Sequence, residues 1–278
     1  MEPPSGPRPR AVIVTIYGLY AREHDGWFSV ASLIRLMAGL GADEPAVRSS
    51  ISRLKRRGIL DQQRRDGVAG YGLSAAGLRT LAEGDRRIFG RSRAKLSDGW
   101  VLAVFSVPES QRQQRHALRS RLTWLGFGTV SAGVWIAPGQ LAEETAEVLE
   151  RSGLSGYVSL FRAGYLAFGD IARQVGQWWD LDRLQDMYQE FRDAYAPLAE
   201  AASPDDATAF AGYVRMLTDW RRLPFLDPGL PAELLPADWP GSAAADLFAR
   251  LRARLDAPAR RHVQTVVGPN PDVVSDAT

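Results

Sequence analysis

The sequence contains no cysteine. This absence excludes disulfide bonds, thiolate metal ligands and cysteine nucleophiles, and it is typical of proteins that work in the reducing cytoplasm. Histidine is nearly as scarce: His24, His116 and His262 lie far apart, without the spacing of metal ligands. The sequence therefore predicts no zinc site and no catalytic site based on cysteine or histidine. We expect no metal site, no catalytic residue and no enzymatic activity.

Long apolar runs are also absent. No window of about 20 uninterrupted apolar residues occurs, so we expect no membrane-spanning helix. The first ten residues lack the apolar segment of a secretory signal, and residues 1–9 are expected to be a flexible, proline-rich lead. Hydrophobic residues nevertheless make up 45% of the sequence, which predicts a folded core. The length of 278 residues predicts two or three domains. Together with the absence of cysteine, these features predict a cytoplasmic protein.

Charge is unevenly distributed along the chain. The net charge is only +2, but residues 1–93 carry a surplus of seven positive charges and the remainder carries a surplus of five negative charges. A basic surplus at one end indicates a module that binds a polyanion, joined to a part with another task.

Helix and strand signals alternate over the first part of the chain. Their order is helix, short strand, two helices, hairpin and helix, which predicts a winged helix-turn-helix over residues 10–93. Asp43 is the expected N-cap of the third helix, and Pro45 lies in its first turn. Asp66 and Gly67 form a turn dipeptide within the hairpin. The predicted helices are residues 11–20, 32–40, 45–57 and 75–87, and the predicted strands are residues 26–30, 59–64 and 70–74.

The third helix, residues 45–57, is the expected recognition helix for double-stranded DNA. A helical wheel places Val47, Ile51 and Leu54 toward the core and places serines between arginines on the opposite face. Arginine can bind guanine with two hydrogen bonds, serine permits close approach, and flanking cations can reach phosphates. The predicted base contacts are Ser49, Ser52, Arg53 and Arg56, and the predicted backbone contacts are Arg48, Lys55, Arg64 and Arg65. The alternatives are a merely solvated helix face and a winged helix that binds a protein.

A different pattern begins near residue 97. Three apolar strands alternate with two helices, which predicts a ferredoxin-like α+β domain over residues 97–170. A fourth strand is either missing or supplied by residues 163–168. The predicted strands are residues 100–107, 129–136 and 157–161, and the predicted helices are residues 112–125 and 141–151.

The last third of the chain has helical periodicity over residues 171–263. The proline-rich segment 224–241 is expected to pack as an irregular loop, and residues 264–278 are expected to form a flexible tail. The predicted helices are residues 171–179, 181–195, 208–223 and 242–255.

Three separate sets of residues resemble the PaaX family of bacterial transcriptional repressors. The N-terminal set includes IVTIYG at 13–18, SLIRL at 32–36 and AVRSSISRL at 46–54, and the central set is Trp100 with VFSVPE at 104–109. The C-terminal set is the most specific, with FLDPGLP at 225–231, LLP at 234–236 and DWPG at 238–241. Together they span roughly residues 10–263. The resemblance implies a winged helix, a ferredoxin-like middle domain and a helical C-terminal domain.

The resemblance also implies a homodimeric repressor that an aryl-acyl-CoA thioester, typically phenylacetyl-CoA, releases from its operator. A dimer would require an inverted-repeat site. The identity of the effector, the operator sequence and the choice between repression and activation stay open.

The middle domain is also similar to the small ferredoxin-like nucleases of CRISPR adaptation, which carry a metal-binding aspartate at the end of the first strand. Ser106 stands near that place here, and a neutral hydroxyl is a poor ligand for Mg²⁺. We therefore interpret this domain as a dimerisation and coupling unit, with a metal-dependent nuclease as the alternative.

Candidate effector contacts lie in the C-terminal third. Trp178 and Trp179, with nearby tyrosines and phenylalanine, could line an aryl pocket, although aromatic residues at helical spacing more often form core. Arg173, Arg221 and Arg222 could bind CoA phosphates, and Trp220 could stack on adenine. The alternative is that these arginines are solvated.

Overall fold

The computed structural model describes residues 9–90, 92–166 and 168–268. The chain forms two compact units, and helices accompany an antiparallel sheet in each. Within the described residues, unit 1 contains residues 9–86, 191–221 and 243–268, and unit 2 contains the rest. The predicted α+β class is confirmed, whereas the division into three sequential domains stays a prediction.

The N-terminal part of unit 1 holds helices around a three-stranded antiparallel sheet with the order β1-β3-β2. Its core includes Val12, Ile13 and Ile16 of the first helix, all at most 3% exposed. Asp66 and Gly67 join β2 to β3 with positive φ angles of 47° and 79°, which a two-residue hairpin turn requires. The elements are α1 Pro9–Tyr20, β1 Trp27–Ser29, α2 Val30–Ala38, α3 Glu44–Arg56, β2 Leu60–Arg65, β3 Val68–Leu73 and α4 Ala75–Gly90.

Three long C-terminal helices also contribute to unit 1: α8 Leu181–Glu200, α9 Asp206–Trp220 and α11 Gly241–Val267. Helices α4, α8 and α11 supply residues to both units, whereas α9 lies in unit 1 and packs against α1. Thr218 of α9 donates a buried hydrogen bond of 2.8 Å to the hydroxyl of Thr15 in α1. Arg254 of α11 donates to four carbonyl groups at the end of α8, where the helix itself supplies no donors.

The last helix continues beyond the predicted end at residue 255. Leu255, Ala259 and Val263 recur at helical spacing and are at most 1% exposed, so their burial carries the helix past Pro258 to Val267. Residues 264–267 of the predicted tail are therefore helical. The rest of that prediction, residues 269–278, and residues 1–8 of the predicted lead lie outside the described residues.

Unit 2 contains a four-stranded antiparallel sheet with the order β5-β6-β4-β7. A helix follows the first strand and another follows the third. The elements of this part are β4 Trp100–Phe105, α5 Arg112–Leu125, β5 Gly128–Ser131, β6 Val134–Pro138, α6 Ala142–Arg151 and β7 Val158–Ala163. Helices α7 Ile171–Trp178 and α10 Leu223–Leu226 and the first half of α8 complete the unit.

The predicted strand 129–136 is wrong, because the structure has two strands there. β5 and β6 pair with each other and turn at Ala132 and Gly133. A Cβ on Gly133 would lie 2.6 Å from the carbonyl oxygen of Phe105, so close backbone approach requires glycine at this turn. The fourth strand therefore comes from this hairpin, and β7 ends at Ala163.

The two faces of this sheet bury different side chains. Val101, Ala103 and Phe105 of β4 form one core with residues of α5 and α6. Trp100 points to the other face and packs in a second core with Leu230 and Leu234 of the proline-rich segment. That segment thus packs as expected, although α10 and a 3-10 turn interrupt its irregular course.

Candidate nucleic-acid interface

Helix α3 has one apolar face and one exposed polar face. Its N-cap is Asp43, whose carboxylate accepts a 2.7 Å hydrogen bond from the amide of Ala46. Val47, Ile51 and Leu54 are at most 3% exposed, and α1 and α2 pack against the helix. This burial leaves the predicted DNA-contacting face of α3 open to solvent.

The exposed face presents Ser49, Ser52, Arg53 and Arg56. Neither the side chain of Arg53 nor that of Arg56 forms an ion pair or hydrogen bond within the described residues, so both guanidinium groups are available to an external anion. Two serines beside them add small hydroxyl groups that permit a close approach. The predicted base-contacting residues therefore share one exposed surface.

The predicted backbone contacts on α3 have partners nearby. Arg48 pairs with Glu44 at 2.7 Å across one helical turn, and both side chains are more than half exposed. Lys55 donates a 2.9 Å hydrogen bond to the side-chain oxygen of Gln62 on β2. Exposed contacts of this kind contribute little stability, about 0–1 kcal/mol, so a phosphate can replace them.

The two arginines at the hairpin differ in their surroundings. Arg65 donates to the carbonyl oxygen of Asp25 at 3.1 Å and lies 5.3 Å from the ring centre of Trp27. Arg64 is exposed and forms no ion pair within the described part of the chain. The structure therefore leaves Arg64 free for an external partner, whereas Arg65 also ties the hairpin to the segment before β1.

Arg57 belongs to the same exposed surface and was missed by the sequence analysis. It is the C-cap of α3, is exposed, and has no ion pair among the described residues. The helical wheel places it beside Arg53, which is the signal that could have identified it.

The predicted effector contacts fall into both units. In unit 1, Trp220 is 6% exposed and stacks on Phe248 with ring centres 4.6 Å apart. Arg221 donates to the carbonyl oxygen of Ala11 at 3.1 Å, and burial lowers its pKa. Packing within unit 1 therefore already engages both side chains.

The other four predicted effector contacts lie in unit 2. Arg173 and Arg222 are exposed and form no ion pair within the described residues. Trp178 and Trp179 line a cavity of about 260 Å³ together with Trp135 and Phe127. The two tryptophans thus lie at this cavity, and Arg173 and Arg222 are not among its lining residues.

The described residues include no helix long and apolar enough to cross a membrane. Nor, within residues 9–90, 92–166 and 168–268, do three or more His, Asp or Glu side chains group in a way that could hold a metal ion. Ser106 is exposed directly after β4.

The exposed cationic face of α3 lies next to an antiparallel hairpin. This surface is suited to binding a polyanion.

Comparison with known proteins identifies the family. Residues 8–77 match the model of the PaaX-like protein, residues 93–175 that of the PaaX protein central Cas2-like domain, and residues 179–265 that of the PaaX-like protein C-terminal domain. The chain belongs to the PaaX family, which confirms the resemblance found in the sequence.

Two relatives extend this result. The transcriptional repressor PaaX of Escherichia coli (strain K12), a regulator rather than an enzyme, is 29% identical over 255 residues, which cover 88% of this chain and 79% of the relative. The solved structure of the uncharacterized protein Rv0674 from Mycobacterium tuberculosis is 27% identical with a TM-score of 0.59 and covers 91% of this chain and 98% of that one.

Proposed function

We propose that this protein is a transcriptional regulator, acting as a repressor, that binds double-stranded DNA through α3. The observation that carries the proposal is the exposed α3 face, on which the side chains of Arg53 and Arg56 have no partner among the described residues and lie beside Ser49 and Ser52. The E. coli relative, a transcriptional repressor by name, supports the same function.

The N-terminal part of unit 1 is a winged helix-turn-helix in this proposal. The support is the order of its elements, in which α2 and α3 are joined by a short turn and the β2–β3 hairpin follows α3 directly. In such domains the second helix of the pair enters the major groove and the hairpin, or wing, lies along the backbone. Arg64, beside the hairpin turn, would then contact a phosphate.

The four-stranded sheet of unit 2 supports a ferredoxin-like domain. Its elements follow the order β4-α5-β5-β6-α6-β7, and the first strand lies between the third and the fourth in an antiparallel sheet. We assign this domain to dimerisation and coupling, so that the regulator binds an inverted repeat as a homodimer in the cytoplasm. An aryl-acyl-CoA thioester such as phenylacetyl-CoA is the proposed effector that releases the DNA.

The arginine contacts determine the DNA affinity that we expect, its selectivity between bases and its dependence on salt. A bidentate arginine–guanine contact contributes about 1–3 kcal/mol of discrimination between bases. Each neutralised phosphate contributes about 0.9 to the slope of log affinity against log salt concentration. Loss of a base contact should therefore weaken operator binding selectively, and loss of a phosphate contact should weaken all DNA binding alike.

The experiment is a titration of labelled DNA from the region upstream of the protein's own gene, followed by fluorescence anisotropy. The double variant Arg53→Ala/Arg56→Ala should lower operator affinity at least tenfold. A matched control, Arg112→Ala, removes an exposed arginine at the start of α5 and should leave affinity within about twofold. Equal affinities of the double variant and the wild-type protein would show that α3 is not the DNA-contacting helix.

A further inference from the structure

The β2–β3 hairpin extends beyond the strand that supports it. β1 pairs only with residues 70–72 of β3, whereas β2 pairs with β3 along its whole length, Leu60–Arg65. From residue 70 toward the turn at Asp66 and Gly67, the described sheet therefore consists of the two hairpin strands alone. Because a two-stranded hairpin is marginally stable by itself, the direction of this end depends on side chains that tie it to the rest of the sheet.

Arg64 and Arg65 belong to opposite faces of this hairpin. Side chains alternate along a strand, so Arg64 shares a face with Gln62 and with the buried Leu60. Gln62 accepts the 2.9 Å hydrogen bond from Lys55 of α3, which places Arg64 on the side of α3. Arg65 belongs to the other face, so the two neighbouring arginines have different surroundings.

Trp27 and two glycines form the surface beside Arg65. Gly70 and Gly72 of β3 are buried by side chains of the neighbouring strands. A Cβ on Gly70 would overlap the indole ring of Trp27, and a Cβ on Gly72 would lie 2.5 Å from the side-chain nitrogen of Gln63. The absence of a Cβ on Gly70 therefore lets the Trp27 ring lie directly on the hairpin strand.

Arg65 joins the end of the hairpin to this surface. Its guanidinium group lies 5.3 Å from the centre of the Trp27 ring, within the range of a cation–π interaction. The same group donates a 3.1 Å hydrogen bond to the carbonyl oxygen of Asp25 and lies 3.7 Å from the carboxylate of that residue. Asp25 has a positive φ of 50° in the turn that leads into β1. Arg65 thus connects the hairpin to the segment before β1 through three interactions.

We propose that Arg65 is a positioning residue, which together with Trp27 and Gly70 fixes the hairpin so that Arg64 contacts a DNA phosphate. The phosphate contact, but not the fixing of the hairpin, rests on the proposed function. Arg64 is exposed, and its side chain forms no ion pair within the described part of the chain. A hairpin that is already held in place loses less conformational freedom when DNA binds. If Arg65 were a second phosphate contact, it would have to leave the Trp27 ring and Asp25.

The fixing of the hairpin is measured first, by hydrogen–deuterium exchange of the full chain without DNA. Arg65→Ala and Trp27→Leu should each speed amide exchange over residues 62–70 at least threefold, because the hairpin then opens locally more often. Arg64→Ala is the matched control and should leave this exchange unchanged. Circular dichroism verifies that each variant folds. Unchanged exchange in Arg65→Ala would overturn the positioning role whether or not the protein binds DNA.

The consequence for DNA is measured by the salt dependence of operator binding in fluorescence anisotropy. Arg64→Ala should lower the slope of log affinity against log salt concentration by about 0.9, the value for one phosphate. Trp27→Leu removes no charge, yet it should lower the slope by at least half as much, because the hairpin no longer presents Arg64. The exposed α4 control Arg79→Ala should leave the slope unchanged.

The double variant Arg64→Ala/Arg65→Ala distinguishes the two roles of Arg65. A positioning residue adds almost nothing once Arg64 is absent, so the double variant should match Arg64→Ala. Two independent phosphate contacts would instead lower the slope by about 1.8, and that result would overturn the proposal. An unchanged slope in Trp27→Leu would also overturn it. If the hairpin variants behave as expected while Arg53→Ala/Arg56→Ala binds the operator normally, the positioning role stands and the assignment of α3 fails.

Discussion

The contacts of Arg87 are expected to contribute strongly to the stability of unit 2. Its side chain is only 4% exposed, and it donates to Glu144 at 3.1 Å and to the carbonyl oxygens of Trp124 and Leu125 at the end of α5. The guanidinium group also lies 4.3 Å from the ring centre of Trp124. Arg87→Met retains an unbranched side chain that fills part of the space and removes every one of these donors.

The expected cost follows from these contacts. Two helix-terminal carbonyl groups lose a charged donor, and each unpaired buried group costs about 1–3 kcal/mol. Glu144 is 34% exposed and can be solvated, so its loss of a partner adds less. The two carbonyl groups therefore account for most of the expected loss, and we predict about 3–4 kcal/mol for Arg87→Met.

The assay is urea unfolding followed by far-ultraviolet circular dichroism, with a thermal melt as a second measurement. At about 2–4 °C per kcal/mol for a chain of this size, the melting temperature should fall by roughly 6–16 °C. Glu144→Gln should cost much less, because it leaves the carbonyl contacts of Arg87 in place. A loss below about 1 kcal/mol in Arg87→Met would refute the inference that these contacts stabilise the unit.

Two further predictions concern unit 1. Asp43→Ala should destabilise the protein by about 1 kcal/mol in urea unfolding, because the amide of Ala46 loses its N-cap acceptor; an equal loss in Asp61→Ala, an exposed aspartate on β2, would contradict the capping explanation. Burial lowers the pKa of His24, so the folded state opposes its protonation. Stability due to this group is therefore present above its ordinary pKa of about 6.5 and is lost as pH falls below that value. The difference in melting temperature between pH 7.5 and pH 5.5 should shrink in His24→Gln, and an unchanged difference would exclude His24 as the cause.

Local signals in the sequence were sufficient to predict the elements that we propose to contact DNA. The N-cap at Asp43, the apolar spacing of Val47, Ile51 and Leu54, and the turn residues Asp66 and Gly67 each act within a few residues. Their effects do not depend on distant partners. The predicted order of elements over residues 9–90 therefore agrees with the structure to within a few residues at each end.

The errors arise where distant contacts decide the structure. The residues around Gly133 do not distinguish a turn from the interior of a strand. Glycine is required there because the carbonyl oxygen of Phe105, distant in sequence, leaves no room for a Cβ. Pro258 predicts a helix end, yet the buried face of α11 outweighs that local preference. Trp220 and Trp179 look alike in sequence, but Phe248 covers the former and a cavity borders the latter.

The proposed entry of α3 into the DNA groove can be measured directly, because the sequence contains no cysteine. Ser49→Cys gives the chain a single thiol on the exposed face of α3, to which a DNA-cleaving iron chelate can be attached. We predict cleavage within each half of the protected operator, and no focused cleavage from the matched conjugate of Ser203→Cys, an exposed position between α8 and α9. Operator that is bound by the Ser49→Cys conjugate but not cleaved, or a pattern identical to that of the control, would contradict the account.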